Sequence, residues 1–350
     1  MSTETSPRGG YVFDLSVGES VEFRGRDGSR RKVTLVALHE ERDRARGVIR
    51  FPRVTIDIDG KQTELASAHY QMPQIVNGVR IDCSLTRGIA EALEGTRHEI
   101  LDKDARIRCW DPAAPLFDTV PLVYPVGQIW FASMTQMANE RVFVDAGELP
   151  VMKPGTAVYH HCGMDFGGHD RAVPVIAAHS GMVVVLGDEE LPDYKGDGGT
   201  KRYDRVIIRD EKGWYYRYSH LDMIDPTVRL GQPIAAGDPI GVLGKEGASG
   251  GWAHLHFSIT SLQPNGRYGE VEGYPFLVEA YLRKHPGALL ACARPHRVAL
   301  IGEEIELDGS RSLCDGAEIK SFQWMLHNGK ICDDVRAKIA YEGKACIPKC

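Results

Sequence analysis

Five side chains with the chemistry of metal ligands or acid–base catalysts lie in three short stretches of this sequence. They are His161 and Asp165 in HHCGMDFGGH, His220 in YSHL, and His254 and His256 in HLHF. Neutral imidazoles and carboxylates are common zinc ligands, and histidine is the usual general acid or base near neutral pH. The first question is whether the chain can bring these stretches to one place.

The spacing within two of the stretches favours convergence. In a strand, side chains alternate between the faces, so His254 and His256 point the same way while Leu255 points into a core. His161 and Asp165 lie four residues apart, and Gly163 between them allows a tight, irregular backbone that turns both side chains inward. Each pattern alone also fits ordinary exposed polar residues, so only their combination is informative.

The third stretch belongs to the aromatic segment WYYRYSHL, which reads as a strand. Strict alternation predicts that Tyr216, Tyr218 and His220 share one face and that Leu221 faces away. A hydrogen-bonded core histidine is the common outcome for such a residue. Its value as a candidate site residue therefore depends on the other two stretches.

Two further side chains compete for a place at a metal. His160 precedes His161, but its spacing to Asp165 is one residue longer. Cys162 lies between the candidate ligands and points away from a metal if the backbone is extended there. If Cys162 did bind the metal, the role of Asp165 would change.

The elements that must position these residues are mainly strands. Residues 11–115 contain alternating apolar segments and the hairpin signals Asp27-Gly28 and Asp59-Gly60, with one short helix predicted at 86–95. Residues 109–125 are rich in proline and indicate a linker. From about residue 150, short strands alternate with glycine turns, and no helix is predicted between 155 and 260. A helix is predicted at 275–287.

We therefore expect a mainly β protein with a glycine-rich antiparallel β-sheet or β-sandwich core. The predicted boundaries are an N-terminal β-rich domain of unknown role at 1–115, a linker at 116–150, the glycine-rich domain at 151–265, a connecting helix at 266–293 and a β segment at 294–350.

Composition excludes several classes of function. The 350 residues are 43% hydrophobic and 26% charged, with a formal net charge of −6, and no basic stripe with interleaved aromatic residues predicts nucleic-acid binding. No apolar run is long enough for a transmembrane helix. The first residues lack a basic region followed by an apolar one, so no secretory signal is predicted in this chain.

The eight cysteines show no paired CxxC spacing, which argues against a structural zinc ribbon. Cys83 and Cys109 are expected to be buried thiols or one disulfide. Four others lie at 314–350, where a disulfide framework would indicate an oxidising compartment. That expectation conflicts with the missing secretory signal.

Taken in order, HxGxD, YSHL and HLHF resemble the motifs of the lysostaphin/LytM-type zinc metallopeptidases. The resemblance extends over residues 155–262 and includes VPVIAAHSGMVV and VRLGQPIAAGDPIGVLG. It implies a Zn²⁺-dependent metalloendopeptidase that acts on peptide bonds of bacterial cell-wall peptidoglycan by attack of zinc-bound water. It further implies a peptidoglycan or glycine-containing peptide as substrate and a location in the periplasm or at the cell surface.

By the same resemblance, His161, Asp165 and His256 bind zinc, and His220 and His254 are catalytic. Three protein ligands leave a fourth tetrahedral position for water, as expected for a catalytic zinc. Which histidine is the base and which stabilises the oxyanion stays open. No HExxH motif occurs, so a helical zincin is excluded.

The C-terminal segment GEEIELDGSRS…IKSFQW resembles the opening of a PKD-type, immunoglobulin-like β-sandwich. Such domains run to eighty or more residues, whereas about 56 remain here, so a partial domain is predicted. Cys346 and Cys350 could staple it. This resemblance also favours an extracytoplasmic setting.

Two alternative functions stay open at this point. The scaffold could be a non-catalytic cell-surface or cell-wall binding or regulatory protein with a vestigial site. It could also be a relative of sugar-phosphotransfer or biotinyl-carrier domains, which share the hairpin rhythm. The intact set of candidate residues disfavours the first alternative, and the HxxxD spacing disfavours the second.

Overall fold

The structure is a computed structural model. It describes residues 7–44, 47, 49–68, 70–92, 101–128, 138–139, 142–145, 158–196, 201–293, 299–326, 329 and 331–340. This part of the chain forms twenty-eight strands and two short helices, all strand pairs within the sheets being antiparallel. The predicted fold class, mainly β, is confirmed. Within these residues no helix has the length and apolar character needed to cross a membrane.

The N-terminal region folds as two four-stranded sheets. Its elements are β1 (Tyr11–Leu15), β2 (Ser20–Arg24), β3 (Arg30–His39), β4 (Arg53–Ile58), β5 (Lys61–Ala66), β6 (Gln74–Val76), β7 (Val79–Thr86), α1 (Arg87–Ala92) and β8 (Ala105–Trp110). The sheet orders are β2-β3-β4-β5 and β1-β8-β7-β6. The predicted hairpin at Asp59-Gly60 is confirmed, because both residues have positive φ and join β4 to β5.

The apolar faces of these two sheets form a common core. Phe23, Val33 and Ile56 from one sheet and Ile81 and Ile107 from the other are at most 1% exposed. Cys83 and Cys109 lie in this core as free thiols, not as a disulfide. Burial raises the pKa of the Cys83 thiol to about 12, which leaves it protonated and unreactive.

The central region contains the three stretches of interest. Its strands are β9 (Ala138–Asn139), β10 (Val142–Asp145), β11 (Val158–His161), β12 (Met164–Gly167), β13 (Pro174–Ile176), β14 (Gly181–Leu186), β15 (Glu189–Glu190), β16 (Val206–Arg209), β17 (Tyr215–Ser219), β18 (Leu221–Ile224), β19 (Pro233–Ile234), β20 (Pro239–Leu243), β21 (His254–Leu262) and β22 (Tyr268–Glu270). A nine-stranded sheet runs β15-β14-β16-β17-β21-β12-β9, with β19 and β22 on β14 and β21. A three-stranded sheet, β13-β20-β18, and the pair β10-β11 complete the region.

The C-terminal region begins with α2 (Tyr274–Lys284), as the spacing of apolar residues predicts. It continues as β23 (Leu289–Leu290), β24 (Glu304–Asp308), β25 (Leu313–Cys314), β26 (Trp324–Met325), β27 (Ile331–Cys332) and β28 (Arg336–Ala340). The described strands form the separate pairs β23-β25, β24-β28 and β26-β27. A PKD-like sandwich stays a prediction, and Cys346 and Cys350 lie outside the described residues.

One hydrophobic core joins the central sheet, α2 and the proline-rich segment that follows β8. Leu116, Phe117 and Tyr124 from that segment are at most 5% exposed and pack with Phe276 and Tyr281 of α2. The segment has no regular secondary structure over 111–125, yet several of its apolar side chains are buried in the core. The segment predicted as a linker thus begins with residues that belong to the core.

A buried ion cluster ties the N-terminal residues to the central sheet. The Arg8 guanidinium donates to Asp118 Oδ2 at 2.8 Å, forms an ion pair with Asp210 and donates to the Tyr216 hydroxyl at 3.2 Å. The Arg8 side chain is 2% exposed and lies 5.2 Å from the centroid of the Phe117 ring. A charge this deeply buried is tolerated only when it is paired and hydrogen-bonded.

We expect Arg8→Ala to lower the free energy of unfolding by about 3–5 kcal/mol, because the substitution removes the buried cation that pairs with Asp210. Asp118 would keep its ion pair with Lys212 at 2.7 Å. Arg24→Ala is the matched control, since Arg24 pairs with Glu22 while its side chain is 66% exposed, and it should change stability by less than about 1 kcal/mol. Urea unfolding of both variants measures the difference. Equal effects would show that the cluster does not stabilise the fold.

Candidate metal centre

The pairing of β12 with β21 brings two of the candidate residues together. The two strands are antiparallel neighbours, and Asp165 lies directly opposite His256. Residues directly opposite each other in such a pair have Cβ atoms about 4.5–5.5 Å apart. His254 lies two residues earlier on the same face of β21, while Leu255 is fully buried in the core. The predicted alternation in HLH is therefore confirmed.

His161, at the end of β11, reaches the same place through a tight turn. Gly163 has φ +89°, a conformation that L side chains rarely adopt. A Cβ at this position would lie 2.8 Å from the carbonyl oxygen of Phe257 and 2.9 Å from Cβ of Ser258. The turn between His161 and Asp165 thus requires glycine for both its backbone conformation and its contact with β21.

Three donor atoms converge in this arrangement. His161 Nε2 lies 3.1 Å from His256 Nδ1 and 3.2 Å from Asp165 Oδ2, and His256 Nδ1 lies 3.0 Å from Asp165 Oδ1. All three residues are largely buried. Among the described residues, these three form the group of His, Cys, Asp and Glu side chains whose donor atoms lie close enough to share a metal ion.

The protonation states of these groups fit a cation between them. Burial lowers the pKa of His256 to about 3, despite its hydrogen bond with Asp165. Burial alone would raise the pKa of Asp165, but the interactions with His161 and His256 outweigh it and hold that pKa well below its usual range. A neutral imidazole and an ionised carboxylate are the forms that bind zinc. The donor set of two nitrogens and one carboxylate therefore fits a divalent metal.

His254 lies beside this group without belonging to it. Its Nδ1 is 3.0 Å from the backbone oxygen of Trp252, and its Nε2 is 3.5 Å from Asp165 Oδ1. Because a carbonyl oxygen only accepts, the proton of the neutral ring is on Nδ1 and Nε2 is left as an acceptor towards the site. The Trp252 ring stacks on the imidazole, with centroids 3.8 Å apart and planes within 16°. Burial lowers the pKa of His254 to about 4.

His220 also reaches the site, but not in the way that strand alternation predicts. β17 ends at Ser219, and His220 has φ +68°, in the left-handed region. This reversal turns the imidazole away from Tyr216 and Tyr218, which are in the core together with Leu221. The expected shared face is therefore wrong. The His220 ring instead lies 4.6 Å from that of His254, centroid to centroid.

The five candidate residues line one open cavity of about 420 Å³. Sequence reasoning missed several of its other lining residues, which are Tyr194, Arg202, Tyr215, Arg217, Trp252 and Glu270. Alternation along β17 was the available signal for two of them, because Tyr215 and Arg217 occupy the face opposite to Tyr216 and Tyr218. Nothing in the local sequence indicates that Arg202 or Glu270 would be there.

The competing ligands have other surroundings. Cys162 lines the cavity, but it packs against an apolar cluster that includes Ile49, Leu85 and Ile89. It is not part of the converging donor group. His160 is a backbone partner of Phe143 in the pair β10-β11, and its side chain lies outside the described residues.

Comparisons with known proteins found similar solved structures and a matching family. Solved structures that match include the catalytic domain of the antimicrobial peptidase lysostaphin from Staphylococcus simulans, at 27% identity over 34% of this chain and 80% of that chain, with a TM-score of 0.26. A putative glycyl-glycine endopeptidase lytM from Ruminococcus gnavus matches at 24% identity over 47% and 61% of the two chains, with a TM-score of 0.30. A zinc containing peptidase from Vibrio cholerae matches at 18% identity over 67% and 83%, with a TM-score of 0.29.

Among curated proteins none matches the chain. The sequence model of the family described as Peptidase family M23 matches residues 159–268. That range starts at the strand that carries His161 and ends within β22, so it contains all five candidate residues. The chain therefore carries a domain of peptidase family M23 at residues 159–268.

Proposed function

We propose that this protein is a zinc-dependent endopeptidase that hydrolyses peptide bonds in the cross-links of bacterial peptidoglycan. The observation that carries the proposal is the convergence of His161 Nε2, Asp165 and His256 Nδ1 within 3.2 Å of one another. Two further imidazoles flank them in an open cavity. Such a set is expected of a catalytic metal site, because three protein ligands leave room for water and substrate.

In this proposal His161, Asp165 and His256 hold the metal, and His220 and His254 are the catalytic residues. When bound, a zinc ion would supply Lewis-acid activation of water and of the scissile carbonyl. The resemblance of HxxxD, YSHL and HLHF to the lysostaphin/LytM motifs supports these roles. The burial of the ligands supports them as well, because a desolvated site strengthens electrostatic interactions.

His254 is suited to take a proton from the attacking water at Nε2. Its Nδ1 proton is used in the contact with the Trp252 carbonyl, so Nε2 has the free lone pair. Its pKa of about 4 keeps the imidazole neutral near pH 7, which is the form that a base must have. His220, on the other side of His254, would stabilise the oxyanion or return the proton to the leaving amine.

The cavity also supports a peptide substrate with small side chains. Ser249, Ser258 and Thr260 line it with short hydroxyl side chains, beside the rings of Tyr194 and Tyr215. Hydroxyl groups can bond an extended backbone, and short side chains leave it room. A glycine-containing cross-link fits this description. A substrate of this kind implies that the protein acts in the periplasm or at the cell surface.

We expect His256→Ala to abolish both zinc binding and hydrolysis, because it removes one of the three proposed metal ligands. The matched control is His169→Ala, which removes an exposed histidine from the same part of the chain. Zinc content per protein after dialysis and release of amines from purified sacculi and pentaglycine measure the two effects. Full hydrolysis by the His256 variant, or by the wild type stripped of metal with a chelator, would contradict the proposal.

Removal of either flanking imidazole should lower the catalytic rate without removing the metal. We expect His254→Ala and His220→Ala to retain zinc and to lower kcat by about 10²–10⁴-fold, the usual contribution of a positioned acid or base. Zinc stoichiometry and steady-state kinetics on the same peptide measure this. A variant that loses its zinc in parallel with its activity would instead assign that histidine to the metal.

A further inference from the structure

His220 is held by a second set of charged residues, one of which, Arg202, also lines the cavity. The residues are Arg202 and Asp204, just before β16, and Glu246, in the loop after β20. None belongs to the motifs that carry the family resemblance. Tyr203 links the same two segments, because its hydroxyl donates to Glu246 Oε2 at 2.6 Å.

Asp204 supports the unusual backbone of His220. Its Oδ2 accepts the backbone N–H of His220 at 2.9 Å, at the residue where φ is +68°. Left-handed backbone is costly for a residue with a Cβ, and it persists when the surroundings determine it. Since this conformation turns the imidazole into the cavity, the carboxylate of Asp204 helps to orient the His220 side chain.

Arg202 keeps that carboxylate ionised and in place. Its Nε donates to Asp204 Oδ1 at 2.8 Å, and its Nη2 forms an ion pair with Oδ2. The Asp204 side chain is fully buried. Burial would raise its pKa, but the hydrogen bonds from His220 and Arg202 lower it. A bidentate pair of this kind fixes geometry as well as charge.

The same residues select the tautomer of His220. Its Nδ1 lies 2.7 Å from the backbone oxygen of Glu246 and 3.4 Å from Asp204 Oδ2, both of which only accept. Arg202 Nη2, which only donates, is 2.8 Å from Nδ1 and has the Asp204 carboxylate as its other partner. The Glu246 carbonyl is the acceptor at hydrogen-bond distance, so it places the proton on Nδ1 and leaves Nε2 as the nitrogen with the free lone pair.

We infer that Asp204, braced by Arg202, is a positioning residue for His220: it fixes the left-handed backbone that brings the imidazole to the cavity and brings its Nδ1 to the Glu246 carbonyl, which holds the Nδ1–H tautomer. The inference rests on the proposed peptidase function, because it assigns His220 a part in that reaction. Asp204 is neither among the residues that line the cavity nor in the converging donor group, so its effect passes through His220.

Two substitutions of Asp204 distinguish an effect on the placement of His220 from an effect on the stability of the fold. Asp204→Ala removes the acceptor, and we expect kcat to fall about 100-fold, the effect of misplacing a catalytic group by about 1 Å, with KM and zinc content unchanged. Asp204→Asn keeps an oxygen for the His220 N–H and should retain kcat within about tenfold. The control is Asp225→Ala, because Asp225 likewise accepts a backbone N–H, from Thr227 at 2.8 Å, but does not line the cavity.

A double-mutant cycle tests whether Asp204 acts through His220. The double variant with Asp204→Ala and His220→Ala should have the kcat of His220→Ala alone, since coupled residues are not additive. Additive losses would overturn the inference. So would wild-type kcat in Asp204→Ala, or a loss of zinc and thermal stability in that variant that accounts for its lost activity.

A measurement that does not depend on catalysis distinguishes an error in this inference from an error in the proposed peptidase function. In the zinc-loaded protein labelled with ¹⁵N-histidine, NMR should show His220 as a single tautomer with the proton on Nδ1, and as a mixture of tautomers in Asp204→Ala. If the wild type shows this but cleaves no peptide, the peptidase proposal fails and the positioning role stands. Identical His220 spectra in the two proteins would overturn the positioning role whatever the activity.

Discussion

The candidate metal centre depends on the register between β12 and β21. Asp165 can meet His256 only because the two are directly opposite in an antiparallel pair. A slip of one residue would turn every side chain of one strand to the other face and would bring Phe166 to the cavity in place of the carboxylate. The buried faces of Phe166, Leu255 and Phe257 oppose that slip, since each is at most 1% exposed.

The site concentrates polar groups that burial alone would disfavour, and the fold compensates each one locally. Asp165 has the two imidazoles, Asp204 has Arg202 and the His220 N–H, and His254 has the Trp252 carbonyl. Such networks are stabilising only when nearly every member is satisfied. The left-handed residue His220 is therefore best understood together with Asp204, as one unit and not as an isolated strained residue.

The part of this arrangement that sequence reasoning could reach is the part set by local periodicity. The period of two in a strand predicts that HLH presents two histidines on one face. Gly163 predicts a tight turn because glycine allows an irregular backbone, and the structure shows that a Cβ has no room there. The face of His220 was mispredicted, since one positive φ at the end of β17 reverses the alternation. Asp204 was missed because its role arises only where two distant loops meet.

The N-terminal region is bound to the central domain through buried charges as well as apolar contacts. Arg108 of β8 donates to the backbone oxygen of Glu272 at 2.8 Å and lies 5.1 Å from the ring centroid of Phe276 in α2. Arg8 forms an ion pair with Asp210, the residue that follows β16. Separating the two regions would expose the buried apolar side chains and would remove Arg8 and Arg108 from their partners. Rigid association of the regions is therefore favoured over free domain motion. The N-terminal region also contacts the lining of the cavity, because Cys162, which lines it, packs against the cluster that contains Leu85 and Ile89.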